Sequence, residues 1–475
     1  MATNTIARAA GEAVAKLGSL AFYVVLAREL GSEDYGTFVF ALALTGTLLI
    51  GAGFGTDELI AREVARDRSG AGRYLSDVVA LKLVTSLLLL AVATGVVFVG
   101  GYSADARLAT VLVGLGVMAE VMGKSWHAIF QAYERLGLVS AALIIQRTLT
   151  AGVGIAILLA GGGLVPAAAV FLGGALTGLV ASELFYRRWT RSPRPRPTRG
   201  GGYRLLRRGL PIGVAGLLFV VLVKVDILML SFLTDNHEVG LYAAALRLIE
   251  GTQFIPWSFD AAMLPWLARR QPGPALARGY MLGLKLQATI LLPAGLLTAC
   301  FAVPIVQLLY GDAFDGAALP LTLLGPTIAL YGLQTLSATL LIARDAPGVF
   351  GRVAGAVAVQ NIVCNAVAIP LWGADGAAGA ALSSAALMVG LAIPQAAKRA
   401  GGLDARRAFT APVLGGAALV AVALLTPLPA IPAALLALLA YAAVWAAFEL
   451  GLHREDVLVY LRALPLKRPK PGAVE

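Results

Sequence analysis

Charge is the first thing this sequence lacks. Only 14% of its 475 residues are Asp, Glu, Lys or Arg, against 59% hydrophobic residues, and the mean hydropathy is +0.81. A water-soluble domain carries about a quarter charged residues to cover its surface, so this chain needs lipid as part of its solvent. Cysteine and histidine are scarce as well. Cys300 and Cys364 lie in apolar stretches and read as small buried residues. His127, His237 and His453 stand far apart, so no metal-ligand spacing forms. No Walker loop or other nucleotide motif occurs, which excludes ATP hydrolysis within this chain and leaves no cofactor to expect. The net charge of +11 is not a nucleic-acid footprint, because aromatic residues are not interleaved with the basic ones. The opening MATNTIARAAGEAVAKLGS has no signal-peptide core or cleavage site, so the first apolar stretch is expected to stay in the protein.

What is present is a succession of long apolar runs. Fourteen reach membrane length, at about 8–30, 36–56, 77–100, 107–131, 138–160, 164–186, 209–233, 239–267, 279–309, 317–342, 350–370, 376–396, 410–426 and 431–450. None alternates like a barrel strand. Backbone groups in lipid need internal partners, so every span is expected to be helical: an all-α polytopic membrane protein. Between spans 6 and 7 lies the most basic stretch, Arg187 to Arg208, with nine arginines, no acid, three prolines and three consecutive glycines. It divides the chain into 1–186, a basic hinge 187–208, a second half 209–400, and a terminal pair of spans with a basic tail, 401–475.

Charge alternates with the spans. With the N-terminus in the cytoplasm, the inner connections and the tail carry 28 Lys and Arg residues and the outer ones two, Arg28 and Arg107. The outer turns hold acids instead: Glu33, Asp34, Asp105, Asp235, Glu238, Asp312, Asp315 and Asp375. This asymmetry predicts a multi-pass protein of the cytoplasmic membrane with both termini inside, in contact with membrane lipids.

The halves repeat. LARELGSEDYGTFVFALAL (26–44) parallels LSFLTDNHEVGLYAAALRL (230–248), each with a tight acidic turn and then Gly beside Tyr. The stretch 136–176 parallels 347–387 in the same way. Six spans before the hinge and six after it predict two pseudo-symmetric six-helix lobes, plus two C-terminal helices, with a substrate site between the lobes. The opening LARELGSEDYGTF, the following GAGFGTDELIAREVARD, VDILMLSFLTDNHEVGLYAAALRL at the repeat start and the terminal pair of spans together resemble the Wzx-type polysaccharide flippases of the MOP (MATE-like) exporter superfamily. The resemblance covers essentially the whole chain. It implies alternating access between two six-helix bundles and flipping of a polyprenyl- or dolichyl-pyrophosphate-linked oligosaccharide.

Charges deep in the spans are the candidate site. A charge at the bilayer centre costs about 3 kcal/mol on insertion scales, so it faces a cavity or a partner. Glu120, Lys124, His127 and Gln131 fall on one stripe of span 4. Arg147 in span 5 has no acid within reach on its own helix. Lys224 and Asp226 in span 7 are two residues apart and cannot share a face. Arg247 and Glu250 lie in span 8, with Asp260 further along and Pro256 expected to bend the helix between them. Glu12 and Lys16 are spaced i,i+4 in span 1. Asp57, Glu58 and Lys82 are expected near the inner surface, where long side chains snorkel. Gln334, Gln360, Asn361 and Asn365 could bind sugars or staple helices.

An anionic lipid-linked sugar needs a cationic, hydrated cavity. Lys124, Arg147, Lys224, Arg247 and Lys16 are the candidates for that field. Glu120, Asp226 and Glu250 are candidates for counter-ions or for binding a coupling proton or sodium ion. Alternatives within the superfamily are a lipid II flippase and a cation-coupled multidrug exporter; the latter would favour an acid-dominated cavity. A membrane glycosyltransferase or polymerase needs a sizeable outer loop for catalytic carboxylates, and every outer connection here is a short turn, so no enzyme is expected. Such enzymes are expected among the partners instead.

Overall fold

The computed structural model describes the backbone of residues 2–190, 197–198 and 200–456, and the side chains within it except at 2–17, 50 and 211–223. The Glu12 and Lys16 side chains, most of the Pro-Arg run of the hinge and the basic tail from 457 therefore lie outside the described residues. No strand occurs among the described residues; every regular element is a helix. The chain forms α1 (Ala2–Ile50), α2 (Thr56–Arg66), α3 (Ala71–Val99), α4 (Ala104–Ala132), α5 (Leu136–Leu159), α6 (Leu164–Thr190) and α7 (Gly201–Leu233). It continues with α8 (Asn236–Thr252), α9 (Phe254–Arg269), α10 (Pro274–Cys300), α11 (Ala302–Leu309), α12 (Ala318–Leu324) and α13 (Thr327–Ala343). The last three helices are α14 (Pro347–Ala400), α15 (Ala405–Leu425) and α16 (Ala430–Leu452).

Eight described helices are long and apolar enough to cross a membrane, and a ninth span is formed if the bent pair Asp312–Leu324 and Thr327–Ala343, at 41° to each other, counts as one. The count of fourteen goes beyond these. Two helices contain non-helical breaks at glycine, α1 at Gly31 (φ 74°) and α14 at Gly373 (φ 52°). Both glycines take positive φ, which costs other residues steric strain. Several expected spans are broken. The second ends at Ile50; the GAGFG turn follows, and α2 continues as an amphipathic helix with Leu59, Ile60 and Val64 buried. The eighth breaks at Gln253, ahead of Pro256, which sits in the first turn of α9, where its missing N–H matters least. The ninth stops at Cys300, and α11 is a separate helix.

The internal repeat extends to element boundaries. α2 ends at Arg66 and α9 at Arg269; α3 begins at Ala71 and α10 at Pro274. The end of α2 and the start of α3 thus recur 203 residues later. The α4 and α13 ends carry the same turn, 211 residues apart. Glu134 (φ 58°) and Asp345 (φ 52°) occupy the left-handed position after each helix. The residue before each bonds a carbonyl of the preceding basic turn: Tyr133 Oη to Arg68 O (3.2 Å) and Arg344 Nη1 to Arg270 O (3.1 Å).

Two compact units result. The first comprises residues 1–248, 307–317 and 365–377, the second 249–306, 318–364 and 378–475. In the first, Leu59, Ile60, Leu75, Val78, Trp126, Ile129 and Phe130 form a core where α2, α3 and α4 meet. Small residues let helices approach closely, as membrane packing requires. A Cβ at Gly116 would meet the Phe171 ring at 2.7 Å, and one at Gly154 the Phe22 ring at 2.4 Å. In the second unit Leu276, Tyr280, Leu284, Leu336 and Leu340 join α10 to α13. Outward-facing Leu435, Leu439 and Leu425 leave an apolar rim suited to lipid.

Candidate functional site

The deep polar residues gather in separate groups. On α4, Glu120 accepts a 2.6 Å hydrogen bond from Gln146 Nε2 of α5. Lys124 lies one turn further along the same stripe, but the Glu120 carboxylate turns across to α5. Arg147, next to Gln146, is half-buried, and with Lys124 it lies near enough to Glu120 to act on its charge. Lys124 and Gln131 are exposed, while His127 is partly buried with its Nε2 at 3.3 Å from Ser182 Oγ.

One turn away lies a pair that sequence reasoning misplaced. Lys82 does not snorkel to a surface: it is fully buried, and its Nζ donates to both Asp57 oxygens (2.7 and 2.8 Å) and to Val121 O (2.8 Å). The cause is α2. Its apolar face packs against α4 and swings Asp57, in its first turn, over the α3 lysine. Ser125 Oγ adds a longer bond to Asp57, 3.4 Å. Asp57, Lys82, Lys124 and His127 are close enough to influence one another's charge.

Asp226 of α7 accepts from Asn365 Nδ2 (2.6 Å) and Tyr242 Oη (3.1 Å), so α7, α8 and α14 meet at one carboxylate. Arg247 lays its guanidinium 3.7 Å from the Tyr23 ring centroid, a cation–π contact from α8 to α1. Lys224, Glu250 and Gln334 are half-buried. Gln360 and Asn361 join the two arms of α14: Gln360 Nε2 donates to Ser383 Oγ (2.9 Å), Asn361 Nδ2 to Ser384 Oγ (3.0 Å), and Ser384 Oγ to Gln360 Oε1 (2.9 Å). Of these four amides, then, two staple helices and Asn365 serves Asp226.

At the acidic end of the first unit the repeated turns interlock. A Cβ at Gly36 would sit 1.7 Å from Asn236 O, and one at Gly240 would sit 2.0 Å from Ser32 O. Ser32 Oγ lies 2.7 Å from His237 Nδ1, Asn236 Nδ2 donates to Thr37 Oγ1 (3.0 Å), and Glu238 accepts from Ala374 N (2.6 Å). Burial pushes the Asp34 and Asp375 carboxyls up from their ordinary values. Glu33 and Asp105 reinforce the shift at Asp34, and Glu238 does so at Asp375.

The second unit holds a buried cation that sequence reasoning passed over. Lys285 of α10 meets Glu449 Oε2 (2.6 Å) and Asp456 Oδ2 (3.0 Å), all three fully buried. Arg407 binds Asp456 through two nitrogens (2.9 and 2.8 Å). Burial alone would raise Asp456, but the hydrogen bonds from Arg407 and Lys285 outweigh it and hold the carboxyl below its usual value. The signal was present: Lys285 follows Lys82 by the 203 residues that separate the repeated elements.

A family model described as polysaccharide biosynthesis protein matches residues 1–271. A protein of Haloferax volcanii named as a low-salt glycan biosynthesis flippase, Agl15, is 24% identical over 367 residues, 76% of each chain. A Shigella flexneri protein named as an O-antigen transporter is 23% identical over 335 residues, 66% of this chain and 77% of that one. Among solved structures, the lipid II flippase MurJ in an inward closed conformation superposes with a TM-score of 0.76 at 13% identity, over 94% of this chain and 99% of that one. An inward-facing MATE family multidrug transporter of the MOP superfamily gives 0.63 at 16% identity, over 81% and 94%. The two solved structures share the fold alone, and together with the matched family model they settle the kinship: the chain is a helical multi-pass membrane protein of MATE-like fold that belongs to the polysaccharide biosynthesis protein family.

Proposed function

We propose that the chain is a flippase that moves a polyprenyl-(pyro)phosphate-linked oligosaccharide across the cytoplasmic membrane by alternating access, for surface glycan synthesis. The observation that carries this reading is the family match across more than half the chain, in a protein whose deep charge leans cationic. The substrate head is anionic and its tail long and apolar, so the head needs a hydrated cavity with fixed positive charge within the membrane. Lys124, Arg147, Lys224, Arg247 and Lys16 supply that field. Glu120, Asp226 and Glu250 act as counter-ions or bind a coupling proton or sodium ion. Of the four amides proposed as polar lining, Gln334 remains for that role, while Gln360 and Asn361 staple the arms of α14 and Asn365 holds Asp226. Both termini lie in the cytoplasm, the arginine-rich hinge stays at the inner face, and polymerase and glycosyltransferase machinery works beside the flippase.

The proposal is tested in a flippase-null strain. Arg147→Ala and Arg247→Ala, each at wild-type abundance, are expected to reduce surface polysaccharide at least tenfold. Full restoration by both variants removes them from the substrate path. A multidrug exporter of the same fold would be insensitive to losing these cations and would confer resistance to cationic drugs instead.

A further inference from the structure

The repeat sets two charge pairs in correspondence. Asp260 and Lys285 fall 203 residues after Asp57 and Lys82, and the α2/α9 ends and α3/α10 starts are displaced by the same number. In the first unit the acid and the lysine meet, Lys82 Nζ lying 2.7 Å from Asp57. In the second they do not. Lys285 faces the C-terminal helices, where Glu449 and Asp456 neutralise it. Asp260 bonds instead to Gln287 Nε2 at 2.9 Å. Gln287 is two residues beyond Lys285, about 200° around α10, so amide and lysine point to nearly opposite sides of that helix. The terminal pair of helices has taken the lysine and left the acid behind.

Asp260 is only 7% exposed. Its partners are Gln287 and the Thr335 hydroxyl, both neutral. Among the described residues, no Lys, Arg or His forms an ion pair with it. α13 carries none, its one titratable group being Tyr331, which accepts from Trp257 Nε1 at 2.8 Å. On α10, Arg278 and Lys285 are engaged by Glu455, Asp456 and Glu449; Tyr280 is bonded to Ser337, and Cys300 ends the helix. A buried carboxylate without a cation is costly, and a bound proton removes that cost.

Gln287 Nε2 donates to one Asp260 oxygen, and the Thr335 hydroxyl, which also reaches Gly332 O at 3.1 Å, can donate to the carboxylate as well. A carboxylate that has released its proton is thus still held by neutral donors, whereas the Asp57–Lys82 pair would strand a buried cation on gaining one.

We propose that Asp260 is an exchangeable proton site of the second unit, set free for that role because the C-terminal helices hold Lys285. One proton adds to an Asp260 carboxylate oxygen and later departs to water; no other bond changes. As a coupling site this rests on the transport reading, but the proton site itself does not.

The test uses the purified full-length chain. Infrared difference spectra between acid and neutral pH are recorded in the carboxyl C=O region for wild type, Asp260→Asn and Asp57→Asn. Asp260→Asn is expected to lose one titrating carboxyl band that Asp57→Asn retains. Asp260→Glu is expected to keep a band at shifted frequency, and it decides the matter if Asp260→Asn elutes aggregated. Identical spectra for wild type and Asp260→Asn overturn the proposal, as does a band that follows sodium at constant pH. Flipping of a lipid-linked oligosaccharide in vesicles is then measured across pH. Loss of the band together with loss of pH dependence supports proton coupling. If the band is lost but even wild type moves no such lipid, the proton site stands and the transport reading falls.

Discussion

A lysine in the middle of an apolar helix must find its counter-charge within reach of its own stem. Lys82 and Lys285 do so differently, one through Asp57 on the preceding helix and the other through Glu449 and Asp456 near the chain's end. Removing one member of a buried pair strands the other, at about 3–5 kcal/mol. Asp57→Ala is therefore expected to lower the thermal midpoint of the purified protein sharply, and adding Lys82→Met to recover most of the loss. Equal instability of the single and double variants would show that the pair is not the cause. The acidic turns give a pH dependence of defined sign. Asp34 holds its proton more tightly folded than unfolded, so its favourable contribution is full below the ordinary carboxylate range and is lost as pH rises through the folded value. Asp34→Asn should thus melt above wild type near about pH 8, with the gap closing towards about pH 4. A gap that widens on acidification contradicts the assignment.

At the scale of elements, the crossing of α1 and α8 depends on two glycines. Gly36 and Gly240 each bring backbone against backbone, and no rotamer can relieve a Cβ placed there. Gly36→Ala and Gly240→Ala are each expected to cost about 1–3 kcal/mol by overpacking. They should also raise the labelling of a cysteine placed at Thr37, read by thiol modification in membranes. Unchanged labelling in both variants would mean that the crossing is not closed by this contact. The repeated Gly-Tyr turns were legible as a motif; that they touch each other was not. The broken helices were equally hidden, because a hydropathy window averages over turns such as GAGFG at 51–55 and joins segments that the backbone separates.

For the whole molecule, the terminal pair is an integral part of the second unit. Ending the chain at Asp404 removes Glu449 and Asp456 and leaves Lys285 buried and uncompensated. Such a truncation is expected to elute as aggregate on size-exclusion chromatography, and Lys285→Leu in the truncated chain to restore a monodisperse fraction. Aggregation of both would place the stabilising contact elsewhere, in the apolar α15–α10 packing.

Membrane residence, helical class and the twofold repeat were determined by sequence alone, because lipid forces backbone groups to bond within a segment and hydropathy records burial directly. Which charge answers which was decided only by tertiary structure. Glu120 is bonded by Gln146 from another helix, Lys82 meets Asp57 because α2 folds back, and Lys285 and Asp260 are parted although their counterparts are joined. Such pairings depend on how each helix is rotated about its own axis. Packing of small and large side chains against neighbouring helices sets that rotation, and spacing along one helix does not encode it.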